Sequence, residues 1–107
     1  MNSIKNDMNI SIIRKVIELE SPGSEIILFG SRAYGNPDFS SDYDILVKID
    51  TNISVNEKRS LSSRIRKSLA EKLIDSDVLI RDKADLSESL NRPGSIIKEA
   101  LTKGIRL

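Results

Sequence analysis

The chain has 107 residues, enough for one domain with a buried core and little more. Its 17 basic and 16 acidic residues leave a net charge of +1, which gives no ground for broad adhesion to nucleic acid or membrane surfaces. It contains neither cysteine nor histidine, so disulfides, thiol nucleophiles, thiolate or histidine-rich zinc sites and a histidine base are excluded, and acid–base and metal work falls to Asp and Glu.

No apolar stretch approaches the length of a membrane span and the N-terminus lacks a signal-peptide core, so the expectation is a cytoplasmic protein. In chain order, Ile10, Ile13, Val16 and Ile17 mark one stripe at helical spacing and predict a helix over roughly 6–20. Ser21-Pro22-Gly23-Ser24 breaks it. The apolar run 25–29 then reads as a short strand covered on both faces. One or two helical turns are expected over 31–35, ended by Asn36-Pro37-Asp38, with a loop over 39–41 and a second strand over 42–49.

Ser54 with Glu57 three residues on fits a capping box, which starts a helix running to about Leu73. Its inward residues recur every four positions at Leu61, Ile65, Leu69 and Leu73. Arg59, Arg64, Arg66, Lys67 and Lys72 make that helix basic, a pattern read first as a solvated face and second as a surface for a partner. Residues 75–81 predict a third strand, 82–91 a polar loop with at most a turn of helix, and 95–103 a last helix. Gly104 is placed as the C′ residue of that helix, and 105–107 as an edge strand. Alternating helices and strands without repeats or linkers argue an α/β sandwich.

Two stretches carry chemistry. Gly30-Ser31 stands where the first strand ends, and a glycine turn into a helix exposes backbone N–H groups suited to phosphate. Asp42-Tyr43-Asp44 opens the second strand, where alternation puts both carboxylates on one face and Tyr43 on the other. Paired carboxylates repel, and a hard divalent cation such as Mg²⁺, shared with a nucleotide's phosphates, is the common reason for them. A phosphate cradle beside a metal pair describes a site for attack on a nucleotide phosphate. Asp75 and Asp77 both open the third strand on one face, so alternation does not choose a third acid between them; Asp77 leads directly into Val78-Leu79-Ile80. Asp38 and Asp50 lie in loops and receive no role.

The pattern Gly-Ser, ten residues, then Asp-x-Asp, with apolar residues on either side, resembles the nucleotidyltransferase motif of the DNA polymerase beta superfamily. The likeness is greatest to the minimal nucleotidyltransferases, small proteins paired with HEPN-domain partners. The resemblance spans nearly the whole chain and implies one nucleotidyltransferase domain over 1–107 with a small mixed β-sheet flanked by helices. It implies that Asp42, Asp44 and Asp77 bind two Mg²⁺ ions, that Asp77 heads its strand as the third carboxylate, and that Gly30, Ser31 and Arg32 contact the phosphates of ATP. Tyr34 departs from the relatives, many of which carry a basic residue near that position.

The expected reaction is attack of a hydroxyl on the α-phosphorus with loss of pyrophosphate. Little chain remains to build an acceptor pocket, so the acceptor is expected on another protein. By resemblance this is a tyrosine of a HEPN-domain toxin, which AMP transfer would neutralise, making the chain an antitoxin. Two rivals stand beside this reading: a small-molecule nucleotidyltransferase with its acceptor site at a homodimer interface, and a non-catalytic antitoxin that occludes its partner. Direct nucleic-acid or membrane binding is not expected.

Overall fold

Repeating isoleucines form helix α1 (Met8–Glu20), which buries Ile10, Ile13, Val16 and Ile17. The computed structural model describes residues 8–34 and 42–107. The expected helix start at 6, the stop at Asn36-Pro37-Asp38 and the loop over 39–41 lie outside the described residues. Strand β1 (Glu25–Phe29) carries four consecutive buried residues, as expected for a strand covered on both faces. It runs through Gly30 into the one-turn helix α2 (Ser31–Tyr34).

Strand β2 (Tyr43–Lys48), helix α3 (Val55–Glu71) and strand β3 (Ser76–Arg81) make a strand–helix–strand unit. Helices α4 (Lys83–Leu90) and α5 (Ile96–Lys103) and the two-residue strand β4 (Ile105–Arg106) follow. The sheet order is β3-β2-β1-β4. β1 pairs antiparallel with β2 and β4, whereas β2 and β3 are parallel. The sheet is therefore mixed, and the expected α/β class holds.

Strand alternation divides the core in two. Ile26, Leu28, Tyr43, Ile45, Val47, Val78 and Ile80 face one way, against the apolar stripes of α1 and α3. Ile27, Phe29 and Leu46 face the other way, against Ile97 and Ala100 of α5, with Leu79 and Leu86 beside them. The first layer is the larger. Removing most of a wholly buried side chain there, such as Ile13 or Ile65, costs about 2–5 kcal/mol.

Three local expectations are corrected. Helix α3 starts at the predicted capping box, with Glu57 N–H donating to Ser54 Oγ at 3.1 Å and Ser54 N–H to Glu57 Oε1 at 3.4 Å. It stops at Glu71, however, and Leu73 is 93% exposed. Leu73 takes φ 62° as the left-handed residue of a Schellman motif, in which its N–H donates to the Ala70 carbonyl and that of Ile74 to the Leu69 carbonyl. Ile74 is the residue that turns back into the core.

The segment expected as polar loop contains α4. Asp82 caps it: Asp85 N–H donates to Asp82 Oδ1 at 3.0 Å and Asp82 N–H to Asp85 Oδ2 at 3.1 Å. Lys58 of α3 joins both carboxylates, at 2.9 and 2.7 Å. The Asp85 N–H and then the Lys58 ammonium hold the buried Asp82 carboxyl well below the usual range. Finally, Gly104 is the C-cap of α5 in an extended conformation rather than a C′ residue. A Cβ there would lie 2.3 Å from the Ala100 carbonyl oxygen and 2.4 Å from Ile27 Cγ2, so glycine lets α5 end directly on β1.

Leu73 tests the Schellman account. A side chain in the left-handed region costs roughly 1–2 kcal/mol, and Leu73 recovers little through packing. Leu73→Gly is expected to raise unfolding free energy by about 1 kcal/mol in urea denaturation after the larger unfolded-state entropy of glycine is subtracted. Leu73→Ala should change it by less than about half of that.

Candidate active site

Parallel pairing brings the starts of β2 and β3 to one end of the sheet. In that register Tyr43 pairs with Ser76 and Asp44 with Asp77, on strands about 4.8 Å apart. The buried ring of Tyr43 belongs to the α1/α3 side. Asp44 and Asp77 alternate onto the opposite face, the one that Leu46 and Leu79 occupy further along. Asp42 stands exposed one residue before β2, and Asp75 exposed one residue before β3. The Asp75 carbonyl accepts the Tyr43 N–H at 3.0 Å, which continues the ladder past the strand. The pairing thus sets Asp77, not Asp75, directly beside Asp44.

The Gly-Ser turn meets this pair from β1. Phe29 is the register partner of Asp44, so Gly30 follows immediately beyond it. Gly30 takes φ 73°, and a Cβ on it would lie 2.1 Å from Asp44 Oδ2. Any side chain there must displace the carboxylate, so glycine is demanded twice, by backbone conformation and by space. Ser31, the first residue of α2, is exposed, and the Ala33 N–H closes the turn on the Gly30 carbonyl at 3.0 Å. Arg32 is half-buried with its guanidinium 4.6 Å above the Tyr43 ring, a cation–π contact. Asn9 Nδ2 donates to the Tyr43 hydroxyl at 3.2 Å from the far side of that packing. Residues 35–41, between α2 and Asp42, lie outside the described residues.

Partial burial, then the charge of Asp77, then that of Asp42, push the Asp44 carboxyl above its ordinary value. Among the described residues, no group of three or more Asp or Glu side chains is already drawn together as a metal cage. Mg²⁺ does not demand one, since it retains waters and binds through one or two carboxylates plus substrate phosphates. Oxygen-only donors that repel one another at an open strand mouth suit such an ion.

Sequence reasoning passed over two features, one at the far end of the sheet and one at this mouth. One is the Asp82–Asp85–Lys58 cluster, whose signal was the Asp-x-x-Asp spacing of a helix start. The other is a cleft of about 600 Å³ at the strand mouth, lined by Asp42, Asp75 and Ser76 and by Ser63, Arg66 and Lys67 of α3. The Ser76 Oγ is buried without a hydrogen-bond partner among the described residues.

Two variants test the geometry. A carboxyl with a raised folded-state pKa subtracts stability once pH rises above its unfolded value. Asp44→Asn is therefore expected to raise the melting temperature of the nucleotide-free protein by a few degrees at pH 7, and by less near pH 4. No gain at pH 7 would show that Asp44 is not under strain from its neighbours. Gly30→Ala should lower stability by more than about 1 kcal/mol, and adding Asp44→Asn should restore only part of it, because the isosteric amide still meets the new Cβ and the backbone cost remains.

Residues 11–107 match the family model described as "Polymerase beta, Nucleotidyltransferase". Among solved structures, the chain is similar to a crystal structure whose protein is provisionally assigned as a nucleotidyltransferase. The identity is 22% and the TM-score 0.56, over 94% of this chain and 99% of that one, a likeness of fold. No curated protein matches the chain.

Proposed function

The chain belongs to the polymerase beta nucleotidyltransferase family, and from that premise we propose that it moves AMP from ATP to a hydroxyl in a Mg²⁺-dependent reaction. The observation that carries this reading is the contact of Gly30 with Asp44 in a register that sets Asp44 beside Asp77. It joins a phosphate-binding turn to carboxylates that need a counter-charge.

In this reading Asp42, Asp44 and Asp77 are the residues that would hold two Mg²⁺ ions. Mg²⁺ bound there supplies charge neutralisation for the triphosphate and eases deprotonation of the acceptor hydroxyl. The Gly30 and Ser31 N–H groups and the Ser31 hydroxyl hold phosphate oxygens. Arg32, placed over Tyr43, steadies α2 from behind. Asp77 takes the acceptor proton, since the chain has no histidine. The acceptor oxygen bonds to the α-phosphorus as the bond from that phosphorus to the bridging oxygen breaks, and the electron pair leaves with pyrophosphate. Positioning and charge neutralisation account for most of the rate.

The acceptor is proposed to be a tyrosine of a partner protein, by resemblance a HEPN-domain toxin that the transfer neutralises. Labelled ATP should mark the partner by whole AMP units and mark little when the chain is alone. Label on an aminoglycoside or a free nucleotide would replace this reading with the small-molecule one. A chain that neutralises its partner without any label would be an occluding antitoxin.

The division of labour among the aspartates provides the sharper test. Mg·ATP is expected to raise the melting temperature, and ATP with EDTA to do so much less. Asp77→Asn should leave that Mg·ATP shift nearly intact while cutting the transfer rate by at least about a hundredfold. Asp75→Asn should transfer at close to the wild-type rate, because its carboxylate lies outside the Asp44 pairing. The reverse pattern would move the third acid by two residues.

A further inference from the structure

Helix α3 has two faces, and only one of them is used by the core. Leu61, Ile65 and Leu69 point into the sheet. Arg59, Ser62, Ser63, Arg66, Lys67 and Ala70 recur at the spacing of a second stripe beside it. Two clefts run along that stripe: the one at the strand mouth and a second of about 530 Å³ above β3, floored by Val78, Leu79 and Ile80. They share Ser63 and Arg66 and so form one channel that ends at Asp42 and Asp75.

The charges of this channel are unbalanced. Some cations elsewhere are matched, Lys48 and Arg106 with Glu25, Arg64 with Glu20 and Arg92 with Glu88, while others such as Lys83, Lys98 and Lys103 stand unpaired among the described residues but line neither cleft. Lys58 in the second cleft is likewise held by Asp82 and Asp85. Arg59, Arg66 and Lys67 have no acidic partner among the described residues. Three cations without an acidic partner on one wall, with exposed Val55 and half-buried Leu79 in the same cleft, form a surface for negative charge carried by something partly apolar.

Two observations narrow the occupant. Neither cleft is lined by an aromatic side chain, so the stacking platforms that single-stranded nucleic acids use are missing. The outer edge of β3 is also closed to an added strand. Ser62 Oγ donates to the Val78 carbonyl at 2.8 Å and Arg81 Nη1 to the Ile80 carbonyl at 2.9 Å, which takes up two of the acceptors a new strand would use. Contact must then run through side chains.

We infer that the channel between α3 and β3 is the docking surface for an acidic, partly aliphatic polypeptide segment of the acceptor protein, held by Arg59, Arg66 and Lys67 and directed toward the strand mouth at Asp42 and Asp75. This rests on the reading of the strand mouth as a nucleotidyl-transfer site with a protein acceptor. The positive wall draws the segment in, and Val55 and Leu79 take its aliphatic side chains. The electrostatic share of such binding falls with salt.

The test measures docking without nucleotide, so it stands apart from the catalytic reading. The probe is a fluorescein-labelled peptide of alternating Glu and Leu around a central Tyr, followed by anisotropy. It is compared with its Lys-for-Glu counterpart and with a single-stranded RNA of similar length. The wild-type chain should bind the acidic peptide most tightly, and more weakly as salt is added. The triple variant Arg59→Glu, Arg66→Glu, Lys67→Glu should weaken that binding by at least about tenfold. The charge-matched triple Lys83→Glu, Lys98→Glu, Lys103→Glu, on α4 and α5, should stay within about twofold. If the first triple melts early, the milder Arg59→Gln, Arg66→Gln pair serves in its place, with the same direction expected. The Mg·ATP melting shift should persist in the groove variants; its absence from the wild type would remove the transfer reading and leave the docking result to stand alone. Preference for RNA, equal loss in both triples, or self-association abolished by the groove variants would each overturn the inference.

Discussion

Pairing two strands in parallel when both begin with aspartate sets like charges side by side at one end of a sheet. Asp44 beside Asp77, with Asp42 close enough to raise the Asp44 pKa further, is the constraint from which most of this molecule follows. Parallel strands need a crossover, and α3 supplies it. Closing that crossover requires Ile65 and Leu69 to be buried against Ile45, Val47 and Val78. The antiparallel partner β1 has to end where the carboxylates begin, and only a residue without Cβ fits there. Charge repulsion at the mouth is thus built into a sheet whose apolar interior is large enough to hold it together.

The sheet's two faces divide the work. The α1/α3 layer takes Tyr43, Ile45 and Val47 from β2, while Asp44 and Leu46 go to the other side. A one-residue slip of β2 would turn Asp44 toward the α1/α3 layer and move Ile45 and Val47 to the α5 side. Core and site therefore specify each other: the hydrophobic alternation that fixes the register also aims the carboxylates. Stability is gained at Ile45 and surrendered in part at Asp44, a trade expected where a protein holds a charge for use rather than for folding.

Much of this was legible in the residues because it is local. The isoleucine stripe of α1, the Ser54–Glu57 box and the acidic strand starts are patterns within a few positions, and each appears where expected. That the sheet is mixed was not legible from periodicity and came from family resemblance, and its strand order was not legible at all, since pairing is decided over long separations. The choice between Asp75 and Asp77 had the same difficulty: both share a face, and only the partner strand's register separates them. Leu73 misled because it continues the four-residue spacing of Leu61, Ile65 and Leu69, whereas the helix had already ended in a motif that usually announces itself with glycine. Helix α4 was missed because its apolar face is sparse, with Leu86 only partly buried, and its stability comes from a capped start tied to Lys58.

That tie has a consequence for α3. Lys58 reaches across to Asp82 and Asp85, and Asp82 also accepts the Ile53 N–H at 3.3 Å, so the start of the crossover helix, the loop before it and the start of α4 are fastened at one point. The other end of α3 is fastened by the Schellman turn that drives Ile74 under β3. A helix pinned at both ends, with one stripe sunk in the core, holds its remaining stripe at a fixed angle to the strand mouth. The backbone positions of Arg59, Arg66 and Lys67 are therefore fixed by folding, while their exposed side chains lose rotamer freedom only when something binds them. The same crossover that brings Asp44 and Asp77 together also orients the basic wall that ends at Asp42 and Asp75.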